Sequence, residues 1–316
     1  MIPILISSLV LMISFSLILS KLFINYKLFD KINNRSSHQT SALRSGGSAL
    51  YFVIMLISIY FYLIGFSLFD YSILIPISIL YLIGLYDDVY NIDFKLKFIF
   101  QIIVAKIMID NGFLIDNLHG LFGLYEINRI IAQILTIFVV ISIINAINFI
   151  DGIDGLAISI IAIFIISFEF FSIDNTGFFS LSIIILACLL PSYIFNFRKK
   201  NKIFLGDSGS YLLGGITSIY VLNILSQNYI IKPEFDIHKI IFVMSILSYP
   251  VIDITRVFIL RVYNRKSPFL ADKNHLHHLL NKNLNSQAKT TAVIVFFSIT
   301  SVILVQIFFN QKIPFI

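Results

Sequence analysis

Long apolar runs, broken at short intervals by small groups of polar residues, organise this chain from end to end. A bilayer-spanning helix needs about 17–25 mostly apolar residues. Ten runs fit or approach that length: 2–20, 48–68, 71–86, 98–115, 130–149, 156–172, 178–196, 210–226, 239–260 and 290–309. No linker, low-complexity stretch or internal repeat separates them. The pattern predicts an all-α integral membrane protein of about ten transmembrane helices, forming one polytopic domain over residues 1–316.

Composition agrees. Of the 316 residues, 58% are hydrophobic and only 13% charged, with a mean hydropathy of +0.92, more apolar surface than a soluble globule could hide. The first twenty residues carry no charge ahead of their apolar run and no small-residue cleavage pattern, so a retained first span is expected rather than a removed signal peptide. The single cysteine, Cys188, excludes an intramolecular disulfide framework and a Cys-based zinc site, and reads as a small buried hydrophobe.

The net charge of +6 admits a nucleic-acid partner, but in a membrane protein Lys and Arg mark the loops that stay in the cytoplasm. Threading the ten spans alternately puts seventeen basic residues in the loops of one side and four, Arg129, Lys232, Lys239 and Lys312, on the other. The first side is therefore expected to be cytoplasmic, with both termini outside and no nucleic-acid role for the charge. A missed or invented span would throw the later basic loops onto the wrong side, and none falls there.

The expensive polar residues gather at that same side. Five clusters stand out: Arg35-Ser-Ser-His38 with Arg44-Ser-Gly-Gly47; Asp87-Asp88 with Lys95, Lys97 and Gln101; Asn145, Asn148, Asp151 and Asp154; Phe204-Leu-Gly-Asp207-Ser-Gly-Ser210; and Asp272 with His275, His277 and His278. Loops are cheaply solvated by Ser, Lys and Glu, yet this chain has three Glu in all and spends its Asp at span ends.

Adjacent carboxylates at the end of an apolar run are costly unless a cation shares them. Asp87-Asp88 alone would read as a solvated terminus, but Lys95 and Lys97 follow closely, which suggests a diphosphate with its metal. Asn145, Asn148, Asp151 and Asp154 recur every three residues, and Gly152 and Gly155 favour a bend there. Four hydrogen-bonding side chains are expected to converge, beside a glycine-rich helix start that offers N–H groups to an anion. A plain polar turn would need only one or two of them.

In the Phe204–Ser210 motif a carboxylate between glycines suits Mg²⁺, which keeps waters and shares phosphates. The same letters also read as an N-capped turn, or as a nucleophilic Ser208 or Ser210 without a hydrolase context. The histidines lack the companions of a zinc site and, beside Arg265, Lys266 and Lys273, form a cationic patch for phosphate or for lipid headgroups. Asp253 and Arg256 are expected to pair with each other. His119 and His238 fall on the outer side without a role.

With these residues in view, the sequence resembles the polyprenyl-phosphate N-acetylhexosamine-1-phosphate transferase superfamily over nearly its whole length. Gly84-Leu-Tyr-Asp87-Asp88 through Gln101 is similar to the family's Asp-Asp loop. Asn145-Ala-Ile-Asn148-Phe-Ile-Asp151-Gly-Ile-Asp154-Gly-Leu-Ala157 resembles its long Asn/Asp/Gly signature, and Phe204–Ser210 its metal and nucleotide loop. Pro250-Val-Ile-Asp253 with Asp272–His278 resembles its last cytoplasmic region. Two details depart or discriminate: Ser41-Ala-Leu-Arg44-Ser-Gly-Gly47 lacks the proline common in the first loop, and His275-Leu-His277-His278 resembles the branch using simple UDP-N-acetylhexosamines more than the muramoyl-pentapeptide branch.

The resemblance implies attack by a polyprenyl phosphate on a UDP-N-acetylhexosamine, releasing UMP and initiating a lipid-linked glycan such as O-antigen, with the muramoyl-pentapeptide transferase of peptidoglycan synthesis as the alternative. It implies a bacterial inner membrane location and an active site facing the cytoplasm. Asp207 would hold Mg²⁺, or Mn²⁺ in its place, and Phe204 would stack on uracil. Asn148, Asp151 and Asp154 would position the nucleotide, Lys97 would neutralise diphosphate charge, and Asp87 or Asp88 would lie beside the acceptor phosphate. His275, His277 and His278 would contact phosphates or sugar. An Asp acting as base, an Asp forming a covalent intermediate, and neither are all compatible with these residues. Membrane lipids are implied partners, and a homodimer is compatible with so much apolar surface. A transporter is the rival from another class, but it should place its charges near the midplane and show related halves; a receptor would not require glycine-flanked carboxylates.

Overall fold

In the computed structural model, residues 1–26, 29–30, 42–174, 176–226, 228–265 and 274–309 are described, Phe29, Asp30 and Phe122 by their backbone alone. Arg35, His38, Lys266, Asp272 and Lys273 of the clusters above lie outside them. The chain is helical: α1 Ile2–Asn25, α2 Gly46–Leu63, α3 Leu74–Tyr90, α4 Phe94–Asp110, α5 Arg129–Ile150, α6 Leu156–Phe171, α7 Phe179–Asn196, α8 Gly206–Leu225, α9 Lys239–Ile246, α10 Ser248–Tyr263, α11 Leu276–Leu284 and α12 Gln287–Phe309. A ribbon of two-residue strands, β1 Phe29–Asp30 and β2 Ala42–Leu43, is the one named sheet among the described residues.

All ten expected spans are helical, and the chain is an all-α membrane protein. Seven described helices are long and apolar enough to cross a bilayer, eight if α9 and α10 count as one. The segment expected as one span at 239–260 is bent by 82° at Leu247. Pro250 supplies the reason: it has no N–H to give, and its ring would clash with the carbonyl of Ile246 in a continuous helix. A short amphipathic helix, α11, occupies part of what the sequence left as loop.

The helix packed most deeply is among the least apolar. Of the most apolar 18-residue stretch of α8, 94% lies buried, against 22% in α1 and 11% in α12. A helix surrounded by other helices meets no lipid and can be built from Gly, Ser and Tyr, whereas rim helices must be apolar outward. Small residues let backbones touch. A Cβ at Gly47 would lie 2.1 Å from Gly209 N, and one at Gly84 would lie 2.4 Å from the Asp207 carbonyl oxygen. These crossings fix α2 and α3 against the start of α8.

At the end where the polar clusters lie, the boundaries shift in one consistent way. Asp87 and Asp88 lie in the last turn of α3, Lys95 and Lys97 in the first turn of α4, and Asp207 in the first turn of α8, so the expected loop residues extend the helices instead. The bend expected at Gly152 and Gly155 is present: α5 stops at Ile150, and Gly155 enters α6 with φ of 71°. That left-handed conformation is one glycine adopts without Cβ strain.

Candidate active site

The ends of α3, α5 and α7 meet the starts of α2, α4, α6, α8, α11 and α12 at one end of the bundle, and every described polar cluster sits there. Asp88 is the hub of the α8 start. Its two carboxylate oxygens accept the backbone N–H groups of Asp207 and Ser208, both at 2.9 Å, and Arg44 Nη1 lies 3.4 Å away. The first N–H groups of a helix have no partner within it and carry partial positive charge, so a buried carboxylate fits there. Its side chain is 1% exposed. Gly206, with φ of 71°, makes room: a Cβ there would fall 2.7 Å from Asp88 Oδ2.

Asp87 points elsewhere. It accepts the Ile92 N–H at 2.9 Å and pairs with Lys97, and its carboxyl group meets that of Asp207. Asp207 Oδ1 also accepts from Asn148 Nδ2 at 2.6 Å, which donates in turn to Ser210 Oγ at 2.8 Å. Lys97, Asp87, Asp207 and Asn148 therefore form one continuous cluster of contacts.

The expected convergence of four side chains on the α5–α6 signature is not what the fold builds. Asn145 turns to α4, exchanging amide hydrogen bonds with Gln101 at 2.9 and 3.4 Å, because one face of α5 is committed to packing there. Asp154 turns to the far side of the bend and pairs with Lys202. The N–H groups expected to await an anion are taken: Asp154 N donates to Gln287 Oε1 at 3.0 Å and Gly155 N to Asn196 Oδ1 at 2.6 Å. Only Asn148 and Asp151 remain on the Asp207 side. Asp151 is half-buried, and desolvation, reinforced by Asp207 and Asp88, raises its carboxyl well above the ordinary range.

Phe204 is half-buried, its backbone locked to Leu43 O at 2.8 Å and to Gly46 N at 2.9 Å. Lys202 Nζ sits 5.0 Å from its ring centroid, so one face of the ring already carries a cation.

The histidines form a buried network instead of the expected surface cationic patch. Asp253 accepts from His275 Nδ1 and from Leu276 N, both at 2.7 Å, capping α11. It does not pair with Arg256, which donates to Asn274 O at 2.7 Å; the break at Pro250 re-aims α10 so that Asp253 faces α11. His277 is fully buried, and desolvation, followed by its neighbour His278, lowers its pKa to about 3. Its Nδ1 lies 2.9 Å from Tyr249 Oη. His119 and His238 stay apart from the site, His119 bonding the Leu225 carbonyl at 2.7 Å.

Sequence reasoning missed Lys202, Asp253 and Tyr249 as site residues. Lys202 had a signal, as a cation two residues before the Phe204 motif; Tyr249 had none.

Residues 70–225, which hold the whole Asp87–Asp207 cluster, match the model of the family described as glycosyl transferase family 4. A Pasteurella multocida protein named undecaprenyl-phosphate alpha-N-acetylglucosaminyl 1-phosphate transferase is 35% identical over 265 residues, 80% of this chain and 71% of its own. The chain belongs to glycosyl transferase family 4. Other family relatives include the Haemophilus influenzae protein of the same name, 32% identical over 265 residues with the same shares. A Bacillus subtilis (strain 168) protein, named a probable undecaprenyl-phosphate N-acetylglucosaminyl 1-phosphate transferase, is 30% identical over 270 residues, 83% of this chain and 72% of its own. The family segment ends before Asp253 and the histidines, which the fold brings back from later helices to the turn that follows α5.

Proposed function

We propose that this family 4 protein transfers an N-acetylhexosamine 1-phosphate from a UDP-linked sugar to undecaprenyl (polyprenyl) phosphate, releasing UMP and starting a lipid-linked glycan such as O-antigen. The relatives' names favour N-acetylglucosamine as the sugar. The site works at the cytoplasmic face of a bacterial inner membrane, with both termini outside. One observation carries the reading: the Lys97–Asp87–Asp207–Asn148 cluster stands at the mouth of a membrane bundle, where a soluble diphosphate and a lipid phosphate can meet.

In the reaction a lipid phosphate oxygen bonds to the β-phosphorus. The bond from that phosphorus to the bridging oxygen breaks, and UMP leaves with the electron pair. Such transfers depend on positioning and charge neutralisation more than on a strong base. Lys97 and Arg44 supply fixed positive charge, Asn148 orients Asp207, and Asp88 holds the α8 start that carries Asp207. The half-buried Phe204 ring would be the one to stack on uracil.

The donor set fits Mg²⁺, with Mn²⁺ as the alternative. Asp207 and Asp87 present hard oxygens close enough to share a cation, and among the described residues no three His, Cys, Asp or Glu groups form a complete cage. A cation held this way completes its shell with phosphate oxygens and water. Bound there, it would neutralise diphosphate charge.

Membranes containing the protein should release UMP from a UDP-N-acetylhexosamine only when polyprenyl phosphate and Mg²⁺ are both supplied, and Asp207→Asn should reduce that release by at least about 100-fold. No release across a broad panel of UDP-sugars would refute the transferase reading; full activity in the variant would refute the metal assignment.

A further inference from the structure

The buried histidine network contains one polar atom that the fold leaves without a partner. His277 has no exposed surface, and its Nε2 has no hydrogen-bond partner. That nitrogen faces the turn after α5: a Cβ built on Gly152 would lie 3.6 Å from it and 3.6 Å from His278 Cε1. Gly152 itself is exposed and follows the half-buried Asp151.

The other ring nitrogen decides what Nε2 presents. Tyr249, 3% exposed on α10, places its hydroxyl 2.9 Å from His277 Nδ1. If Nδ1 carried the proton, the phenolic O–H would be buried with nothing to donate to, since Asp253 already takes His275 Nδ1 and Leu276 N. With Nδ1 as acceptor the hydroxyl is satisfied and the ring proton sits on Nε2. An unmet buried donor is expensive unless a ligand completes it.

We infer that Tyr249 is a positioning residue that fixes His277 as a neutral Nε2–H donor, aimed over Gly152 at an uncharged acceptor oxygen of the nucleotide sugar, a hydroxyl or an acetamido carbonyl. A neutral donor suits an uncharged oxygen, while the phosphates have Lys97 and Arg44 nearby. The inference rests on the transferase reading for its ligand, but not for its tautomer.

The test is Tyr249→Phe, alone and with His277→Gln, which keeps an N–H donor near the place of Nε2 and has no tautomer to fix. In the native background the substitution should raise KM for the UDP-sugar about tenfold, the worth of one hydrogen bond, with kcat and the KM for polyprenyl phosphate little changed. On the His277→Gln background it should add less than about twofold. Equal losses in both backgrounds would mean that Tyr249 only packs, and a rise confined to the lipid KM would place the oxygen on the wrong substrate; either overturns the inference. ¹⁵N-histidine spectra of the detergent-solubilised protein read the tautomer without activity: an unprotonated Nδ1 at His277 is expected, and a protonated one would overturn it. Failure of the native protein to release UMP with any donor would refute the transferase reading alone and leave that spectrum standing.

Discussion

Each acidic residue of the site is defined by what it already holds. Asp88 caps α8, Asp154 pairs with Lys202, and Asp253 caps α11, so these three spend their charge on the architecture. Asp87 and Asp207 face each other across Lys97 and Asn148, and Asp151, its pKa raised by desolvation and by its acidic neighbours, lies beside them. His277 provides a pH test of this arrangement. Its folded pKa of about 3 lies below the ordinary 6.5, so the unfolded chain binds a proton in that window that the native ring refuses. The resulting stability is present above pH 6.5 and is lost as pH falls toward 3, by up to about 1.4 kcal/mol per pH unit. Thermal unfolding of the detergent-solubilised protein should therefore steepen its acid dependence relative to His277→Gln between pH 6.5 and 4.5. Parallel pH curves for the two proteins would contradict a buried neutral ring.

At the level of elements, the site is accurate because glycines bring backbones into contact. Gly47 and Gly209 touch where α2 crosses α8, and Gly84 rests on the Asp207 carbonyl. Gly47→Ala should push α2 from α8 and displace Arg44 and the Asp207 turn together. It should cost at least about 1–3 kcal/mol and most transferase activity, measured as UMP release and melting temperature. Gly65, where an added Cβ would meet nothing within 4 Å, is the control for the loss of a glycine as such; its positive φ gives it a modest strain but no activity change. An active Gly47→Ala protein of native stability would show that the crossing is not what places the site. These contacts also explain what could be read from the chain. Helices were visible because lipid demands long apolar runs, and Asp87, Lys97, Asn148 and Asp207 because charged or strongly polar side chains at a span end are costly. Asn145 misled because a three-residue spacing cannot say which neighbour a face will meet, and Asp253 because its partner His275 lies 22 positions away, at the start of the next helix. Tyr249 looked like any apolar aromatic.

For the whole molecule, the polar ends and the basic loops make the same demand on orientation. Helices alternate so that the site occupies one end, and that end carries Arg198, Lys199, Lys200 and Lys202 between α7 and α8, while the opposite end carries Glu126 between α4 and α5. If basic residues stay with the cytoplasm, the site opens toward the compartment that holds soluble nucleotide sugars. The single native thiol, Cys188, is fully buried and silent to a charged reagent, so introduced cysteines report cleanly. Lys199→Cys and Glu126→Cys, both at exposed positions, should therefore behave oppositely. In intact cells a membrane-impermeant maleimide should label Glu126→Cys and leave Lys199→Cys unlabelled. In inverted vesicles the pattern should reverse. Labelling of Lys199→Cys from outside would place the histidine and aspartate clusters on the wrong side of the membrane for their substrate, and the transferase would then need a donor supplied from beyond the bilayer.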